Sequence, residues 1–451
     1  MAKVVKIDIM TREIIKPSSP TPQHLRYIKL SLLDQLNFAM STPILLFYPA
    51  KSDKNSNIIH AIKEKSQNLK SSLSKTLTLF YPLAGKIKDY SFIDCNDYGY
   101  GVEFVEAQVN CPMSNIFQHP DSSLLEKLIP VDLNSKETFT GAVIQANFFA
   151  CGGLAIGVSL SHKIADAASL GAFLMAWTAS SLSMETPTTV LPHFVSDTII
   201  PSPVDSLALP PPPPPPSTLE MTTRRYVFDA SKVSMLKAQA ASASLQQPTR
   251  VEALTAFLWK CLMTVSRSKS PGFVKKSVLV QAVNMRKRLL PPLPENYIGN
   301  LSGKFLVESK DTNIELQDLV VHLRKGLEQV GKGIEAMDIE AILEFAKRFR
   351  ELHNRDDIDM YCFTSLCGFP LYEVDFGWGK PTWAIVTNLV LKNYVVLIDT
   401  RDRKGIEVWM SLSKDDAPLF ERNNQELLAF ASINPSIRIA DKNFPALNSS
   451  L

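Results

Sequence analysis

The chain has 451 residues, 45% hydrophobic and 21% charged, with 48 basic side chains against 45 acidic ones and a net charge of +3. That length is enough for two or three domains with sizeable cores, and the composition is ordinary for a soluble globular protein. So balanced a charge argues against nucleic-acid or membrane-surface binding, which needs a basic face.

The first ten residues, MAKVVKIDIM, lack a charged segment followed by an apolar one, so no secretory signal is expected. The longest apolar stretch, Phe148 to Ser161, is too short to span a bilayer and is interrupted at Gly152-Gly153. Six scattered cysteines (Cys95, Cys111, Cys151, Cys261, Cys362, Cys367) form no Cys-x-x-Cys pair. They read as buried free thiols in a reducing compartment rather than as metal ligands. A cytoplasmic protein is expected.

Val4 to Ile15 alternates as a strand and stops at Pro17, Pro20 and Pro22. Ile58, Ile59, Ile62, Leu69, Leu73 and Leu77 recur at helical spacing, which predicts a helix over about Asn57 to Leu77. Lys86 to Ile93 and Gly101 to Val109 read as strands flanking Asn96-Asp97-Tyr98-Gly99, a hairpin signal. A second hairpin pairs Ala142 to Ala150 with Leu154 to Leu160 across Gly152-Gly153. This last strand is largely apolar and runs out into Ser161-His162-Lys163-Ile164-Ala165-Asp166. A helix follows, with Leu170, Phe173, Leu174 and Trp177 on one face, ending near Ser183.

The composition then shifts. Pro210 to Pro216 is an unbroken run of seven prolines, about 20 Å of extended chain at roughly 3.1 Å per residue. It reads as a crossover linker between two halves; a ligand for a proline-binding module is the other reading. The division expected is an N-terminal domain over residues 1–195, a linker over 196–222 and a C-terminal domain over 223–451.

The second half opens with a strand, Arg225 to Asp229, and a helix, Ser231 to about Ala241. Val251, Leu254, Leu258, Cys261, Leu262 and Val265 mark one face of another helix, and Ser277 to Met285 reads as a strand. Helices are predicted over Ile314 to Val330 and Ile339 to Leu352, with a last one over Asp415 to Ser432. Between them Trp383 to Thr400 alternates as a hairpin turning at Lys392-Asn393. Helix and strand mix in both halves, which makes an α/β protein of two domains.

His162 is the candidate base. Three of the seven histidines have an aspartate four residues on: His162 with Asp166, His193 with Asp197 and His353 with Asp357. Spacing therefore does not choose among them. Context does, because only His162 stands where a buried strand turns into a helix, a rigid place from which to meet a substrate.

His162-Lys163-Ile164-Ala165-Asp166 and, further on, Asp375-Phe376-Gly377-Trp378-Gly379 together resemble the two signatures of the plant BAHD acyltransferases. Supporting stretches span nearly the whole chain: Lys29 to Gln35, Phe80 to Gly85, Val283 to Arg286, Tyr297 to Asn300 and Gly405 to Trp409. The resemblance implies two chloramphenicol-acetyltransferase-like domains with mixed sheets, a long crossover, and a channel at the domain interface with His162 at its middle. Acyl-CoA would enter one end and an alcohol or amine the other, with no permanently bound cofactor and no metal; a monomer is expected.

A thioester is already activated, so a base, a pocket and an oxyanion donor suffice. His162 would take the acceptor's proton and return it to the departing thiolate, with no acyl-enzyme. Asp166 has two readings: it orients His162, or it pairs with Arg286, the partner that the family pattern implies. Thr364 resembles the family's oxyanion donor and is otherwise an ordinary strand threonine. Leu366 and Gly368 stand where the family often has tryptophan and arginine, which implies a wider, less polar acceptor pocket and disfavours an acidic acceptor. Asp375, Gly377 and Trp378 would brace the CoA side as architecture. Arg250, Lys260 and Lys380 are the candidate CoA phosphate partners.

The leading expectation is acetyl transfer to a bulky, apolar or cationic alcohol, such as an alkaloid or terpenoid alcohol. Transfer of a hydroxycinnamoyl or other aromatic acyl group is the alternative, and a non-catalytic ligand-binding relative is a third reading.

Overall fold

The computed structural model describes the chain except for residues 1–4, 38–39, 51–57, 90, 97–99, 131–140, 185–190, 195–219, 270–271, 311–313, 335–338, 388, 390 and 439–451. The proline run lies outside the described residues.

Two mixed sheets form the centre of the molecule. The first has the order Ile7–Ile15, Val102–Val109, Ala142–Phe149, Leu154–Ser161, Ser41–Tyr48, Trp383–Val386. Leu154–Ser161 lies inside it, buried at every residue, as its near-continuous apolar run requires. It pairs antiparallel with Ala142–Phe149, the hairpin expected across Gly152-Gly153. Helices Ile58–Leu79 and Ala167–Ser181 pack together, and the Trp177 indole donates to Ser72 Oγ at 3.0 Å.

The second sheet has the order Ser302–Ser309, Lys276–Asn284, Ile358–Ser365, Tyr394–Asp399, Ile406–Ser413, Met221–Phe228, Ser432–Ile433. Helices Ala230–Ala240, Arg250–Lys269 and Leu316–Ile334 share one apolar core with it, in which Leu254, Leu258, Leu279 and Leu397 are fully buried. Helix Ile339–His353 contributes Leu352 to a smaller core with Val278, Val280 and Ile358.

Two expected hairpins are corrected. Lys86–Lys88 turns back at once onto Phe92–Asp94, and Tyr27–Lys29 completes a three-stranded sheet. Asp89, at φ +50°, takes the left-handed conformation that such a turn needs and that aspartate tolerates. Val102–Val109 joins the first large sheet instead, between Ile7–Ile15 and Ala142–Phe149. Trp383 to Thr400 is no hairpin either. Trp383–Val386 pairs with Ser41–Tyr48 in the first sheet, whereas Tyr394–Asp399 lies between Ile358–Ser365 and Ile406–Ser413 in the second. All four residues of Trp383–Val386 are buried, so the strand needs cover on both faces, which a terminal hairpin does not supply. Trp383 stacks on Phe47 at 5.1 Å and donates to Glu407 Oε1 at 3.1 Å, so one side chain touches both halves.

The expected last helix breaks in two, Asp416–Asn423 and Gln425–Phe430. Asn424 interrupts it, and its side chain donates to the carbonyls of Phe420 and Cys261. Ser41–Tyr48, Ser302–Ser309 and Ile406–Ser413 are strands that the sequence reading did not mark. Among the described residues no helix is long and apolar enough to cross a membrane.

Candidate active site

Ser161 ends the buried strand, and the backbone N–H of His162 donates to Met40 O at 2.8 Å, fixing the point where the chain leaves the sheet. Four residues on, Asp166 caps the helix Ala167–Ser181 by accepting from Ser169 N at 2.9 Å. His162 is thereby held between a sheet and a helix N-terminus. It lines a cavity that opens to solvent, about 800 Å³ of empty space with the mouth included, whose other walls include Leu160, Leu170, Thr364, Leu366 and Tyr394.

The His162 ring meets Asn300, with Nδ1 and Asn300 Oδ1 3.1 Å apart. Asn300 Nδ2 donates both to Asp34 Oδ1 and to His162 O, each at 2.8 Å. With the amide nitrogen so engaged, its oxygen faces the ring, so Nδ1 carries the proton and donates. Nε2 keeps its lone pair. Burial and the nearby charge of Lys304 hold the imidazole below its ordinary pKa, outweighing Asp166 and Asn300, so the neutral form is favoured.

Behind His162, burial raises the Asp34 carboxyl against hydrogen bonds from Ser31 and Asn300. Lys163 points away from the cavity, donating to Gln35 O at 2.7 Å, and burial lowers its amine to about 8.

Asp166 is engaged elsewhere. Its Oδ2 accepts from Arg286 Nη1 at 2.7 Å and Leu301 N at 3.1 Å, and its Oδ1 from Arg286 Nη2 at 3.0 Å as well as from Ser169. None of these bonds reaches His162. Arg286 is fully buried and donates also to the carbonyls of Tyr297 and Gly299. The pair therefore joins the helix start, the turn after Lys276–Asn284 and the 297–301 segment that presents Asn300.

Thr364, on Ile358–Ser365, lines the cavity opposite the histidine loop, and its hydroxyl makes no hydrogen bond among the described residues. Leu366 lines it too. Gly368 does not: it is exposed at φ +89°, and its N–H donates to Asp399 Oδ2 at 2.8 Å.

Asp375 Oδ1 accepts from Gly377 N at 2.8 Å and Gly379 N at 2.9 Å, closing its own loop. Both glycines have positive φ, +104° and +108°. Phe376 packs edge-on against Trp177 at 4.9 Å, and Trp378 stacks on Phe376. The loop thus clamps the second half of the chain onto the first, outside the cavity wall.

The basic candidates divide. Arg250 donates to Arg403 O and Asp399; Arg403 and Lys380 both pair with Glu373. Arg250, Lys380 and Arg403 therefore form one patch. Lys260 stands apart from it and faces Glu315 at 3.9 Å. The sequence reading missed Arg403, and it gave Asn300 no role. Asn300 lay in a marked stretch, but its partner is 138 residues away.

A neutral imidazole whose Nε2 has no partner among the described residues, set in a cavity between two mixed sheets, is suited to taking a proton from a molecule bound there. A family model described as the transferase family matches residues 5–427. Akuammiline synthase 1 of Alstonia scholaris is 37% identical over 94% of this chain and 97% of its own length. Stemmadenine O-acetyltransferase of Catharanthus roseus is 36% identical over 94% and 98%. Vinorine synthase of Rauvolfia serpentina is 38% identical over 91% of this chain and 95% of its own. The vinorine synthase crystal structure superposes with a TM-score of 0.83 over 96% of this chain and 100% of that one, at 36% identity. The chain belongs to the BAHD acyltransferase family and is an acyl-CoA acyltransferase of specialised metabolism.

Proposed function

We propose that this enzyme transfers an acetyl group from acetyl-CoA to a hydroxyl of a bulky specialised metabolite, such as an alkaloid or terpenoid alcohol. The observation that carries the chemistry is the Asn300–His162 bond, which leaves Nε2 free to act as a base toward the cavity. His162 Nε2 takes the proton from the acceptor hydroxyl as its oxygen attacks the thioester carbon. The oxyanion that forms accepts from Thr364 Oγ1–H. As the tetrahedral intermediate collapses, the C–S bond breaks and the imidazolium returns its proton to the thiolate. No acyl-enzyme forms. Asp166 and Arg286 act at a distance, by fixing the segment that presents Asn300. The patch of Arg250, Lys380 and Arg403 holds the CoA phosphates. The acetyl donor is supported by the relative named for O-acetylation.

Thiol release from acetyl-CoA and p-coumaroyl-CoA across a panel of alcohols tests this. Release from acetyl-CoA alone is expected. Release from p-coumaroyl-CoA alone moves the enzyme to aromatic acyl transfer, and thioester binding without turnover makes it a non-catalytic ligand binder.

Two further results are expected with the best alcohol. The acid limb of the kcat/KM profile is centred below pH 6.5, because the neutral imidazole is the active form and its pKa lies below the ordinary 6.5. An acid limb centred above that value contradicts the assignment. Thr364→Val lowers kcat by about 10²- to 10³-fold with little change in KM for acetyl-CoA, and Thr364→Ser retains most of the rate. Equal rates for wild type and Thr364→Val would remove the hydroxyl from the mechanism.

A further inference from the structure

Lys304 is a cation that the mechanism above does not use. It sits on the edge strand Ser302–Ser309, along which buried and half-buried residues alternate. Phe305 and Val307 turn into the helix-covered core, so Lys304 belongs to the opposite face of the sheet. The register puts Lys304 beside Ala282, and Gln281 beside Phe363, so Ala282 is level with Thr364. Lys304, Ala282 and Thr364 thus form one row across three strands, on the face that looks toward His162. Ala282 has no bulk and is itself partly accessible, which leaves room above it between the amine and the hydroxyl. Two strand spacings, roughly 10 Å, separate the ends of the row.

Among the described residues no hydrogen bond or ion pair to the Lys304 amine occurs, and none of their carboxylates lies close enough to act on it. Burial pushes this amine down. The titratable group that opposes this is the Cys362 thiol, which burial keeps protonated, at about 11. Lys304 is itself half-buried, whereas the more deeply buried cations among the described residues are matched: Arg286 by Asp166, Arg225 by Glu407 and Lys163 by the Gln35 carbonyl. An interior charge without a counter-ion is costly, and a ligand that brings one relieves the cost.

We propose that Lys304, which stands beyond the cavity wall at the far end of the row from Thr364, is the counter-ion for a carboxylate of a substrate that extends from the cavity along that row, carried on the acyl group or on the acceptor. An acid is then accepted although Gly368 offers no cation. The inference rests on the acyl-transfer reading for its place in the reaction, but its test reads binding alone.

Two probe pairs separate the sources. Malonyl-CoA against acetyl-CoA reports on the acyl side. 4-(Hydroxymethyl)benzoate against its methyl ester reports on the acceptor side. Affinities are measured by titration calorimetry for wild type, Lys304→Met and Lys304→Arg, with Lys304→Gln in reserve should the methionine variant fail to fold. In one pair, the acid is expected to lose roughly 10- to 100-fold in affinity on Lys304→Met while its neutral partner is unaffected, and Lys304→Arg is expected to retain most of it. Lys304→Met acting equally on acid and neutral probes in both pairs overturns the proposal. Acid binding through Lys304 with no CoA release from any thioester sinks the acyl-transfer reading and leaves this one standing.

Discussion

His162→Ala loses about 10²- to 10⁴-fold in turnover while keeping its affinity for acetyl-CoA and its unfolding midpoint. The loss is large because the imidazole both accepts and returns the proton, and no other base lines the cavity among the described residues except Asp166, whose oxygens are taken by Arg286, Ser169 and Leu301. Folding is spared because truncation strands no buried charge: His162 is held neutral, and Asn300 keeps its bonds to Asp34 and to the backbone. His193→Ala and His353→Ala serve as controls. His193 stacks on Tyr297 at 5.3 Å and His353 on Phe349 at 6.1 Å, and neither lines the cavity. Undiminished turnover in His162→Ala would end the general-base mechanism.

Arg286→Leu destabilises the protein by about 3–5 kcal/mol, read as a lowered urea midpoint at pH 7. Leucine leaves the Asp166 carboxylate, 7% exposed, without its cation, and leaves the carbonyls of Tyr297 and Gly299 without donors. Burial alone would raise Asp166, but Arg286 and Ser169 outweigh it and hold the carboxyl below the usual 3.8. With the folded pKa depressed, this contribution is fully present above the unfolded value and is lost as pH falls through the folded one. Asp166→Leu combined with Arg286→Leu recovers much of the stability, because no unpaired buried charge remains. Turnover in that double variant then reports the loss of positioning separately from the loss of stability. A midpoint unchanged in Arg286→Leu, with turnover lost as fully as in His162→Ala, would make the pair part of the proton relay instead of the scaffold.

Asn300 links the two predictions. It touches His162, Asp34 and, through Leu301, the group that binds Asp166. Removing the ion pair frees this segment, so some rate is lost along with stability even where the base itself is intact.

By itself the sequence determined the elements whose signal is local. The helix Ile58–Leu79, the strand Leu154–Ser161 that delivers His162 and the helix that Asp166 caps were legible because period and capping are set within a few residues. The two motif stretches likewise identified the family without any packing. What only the tertiary structure decided was partnership. Alternation in Trp383 to Thr400 marked two strands but not the two different sheets that take them, since a buried strand accepts any neighbour that completes its ladder and covers its faces. The Asn300 contact that sets the histidine tautomer, the choice between the two readings of Asp166, whose oxygens go to Arg286 and not to His162, and the unpaired amine of Lys304 belong to the same class. Each depends on which groups burial brings together and which it leaves alone, and distance along the chain does not encode that.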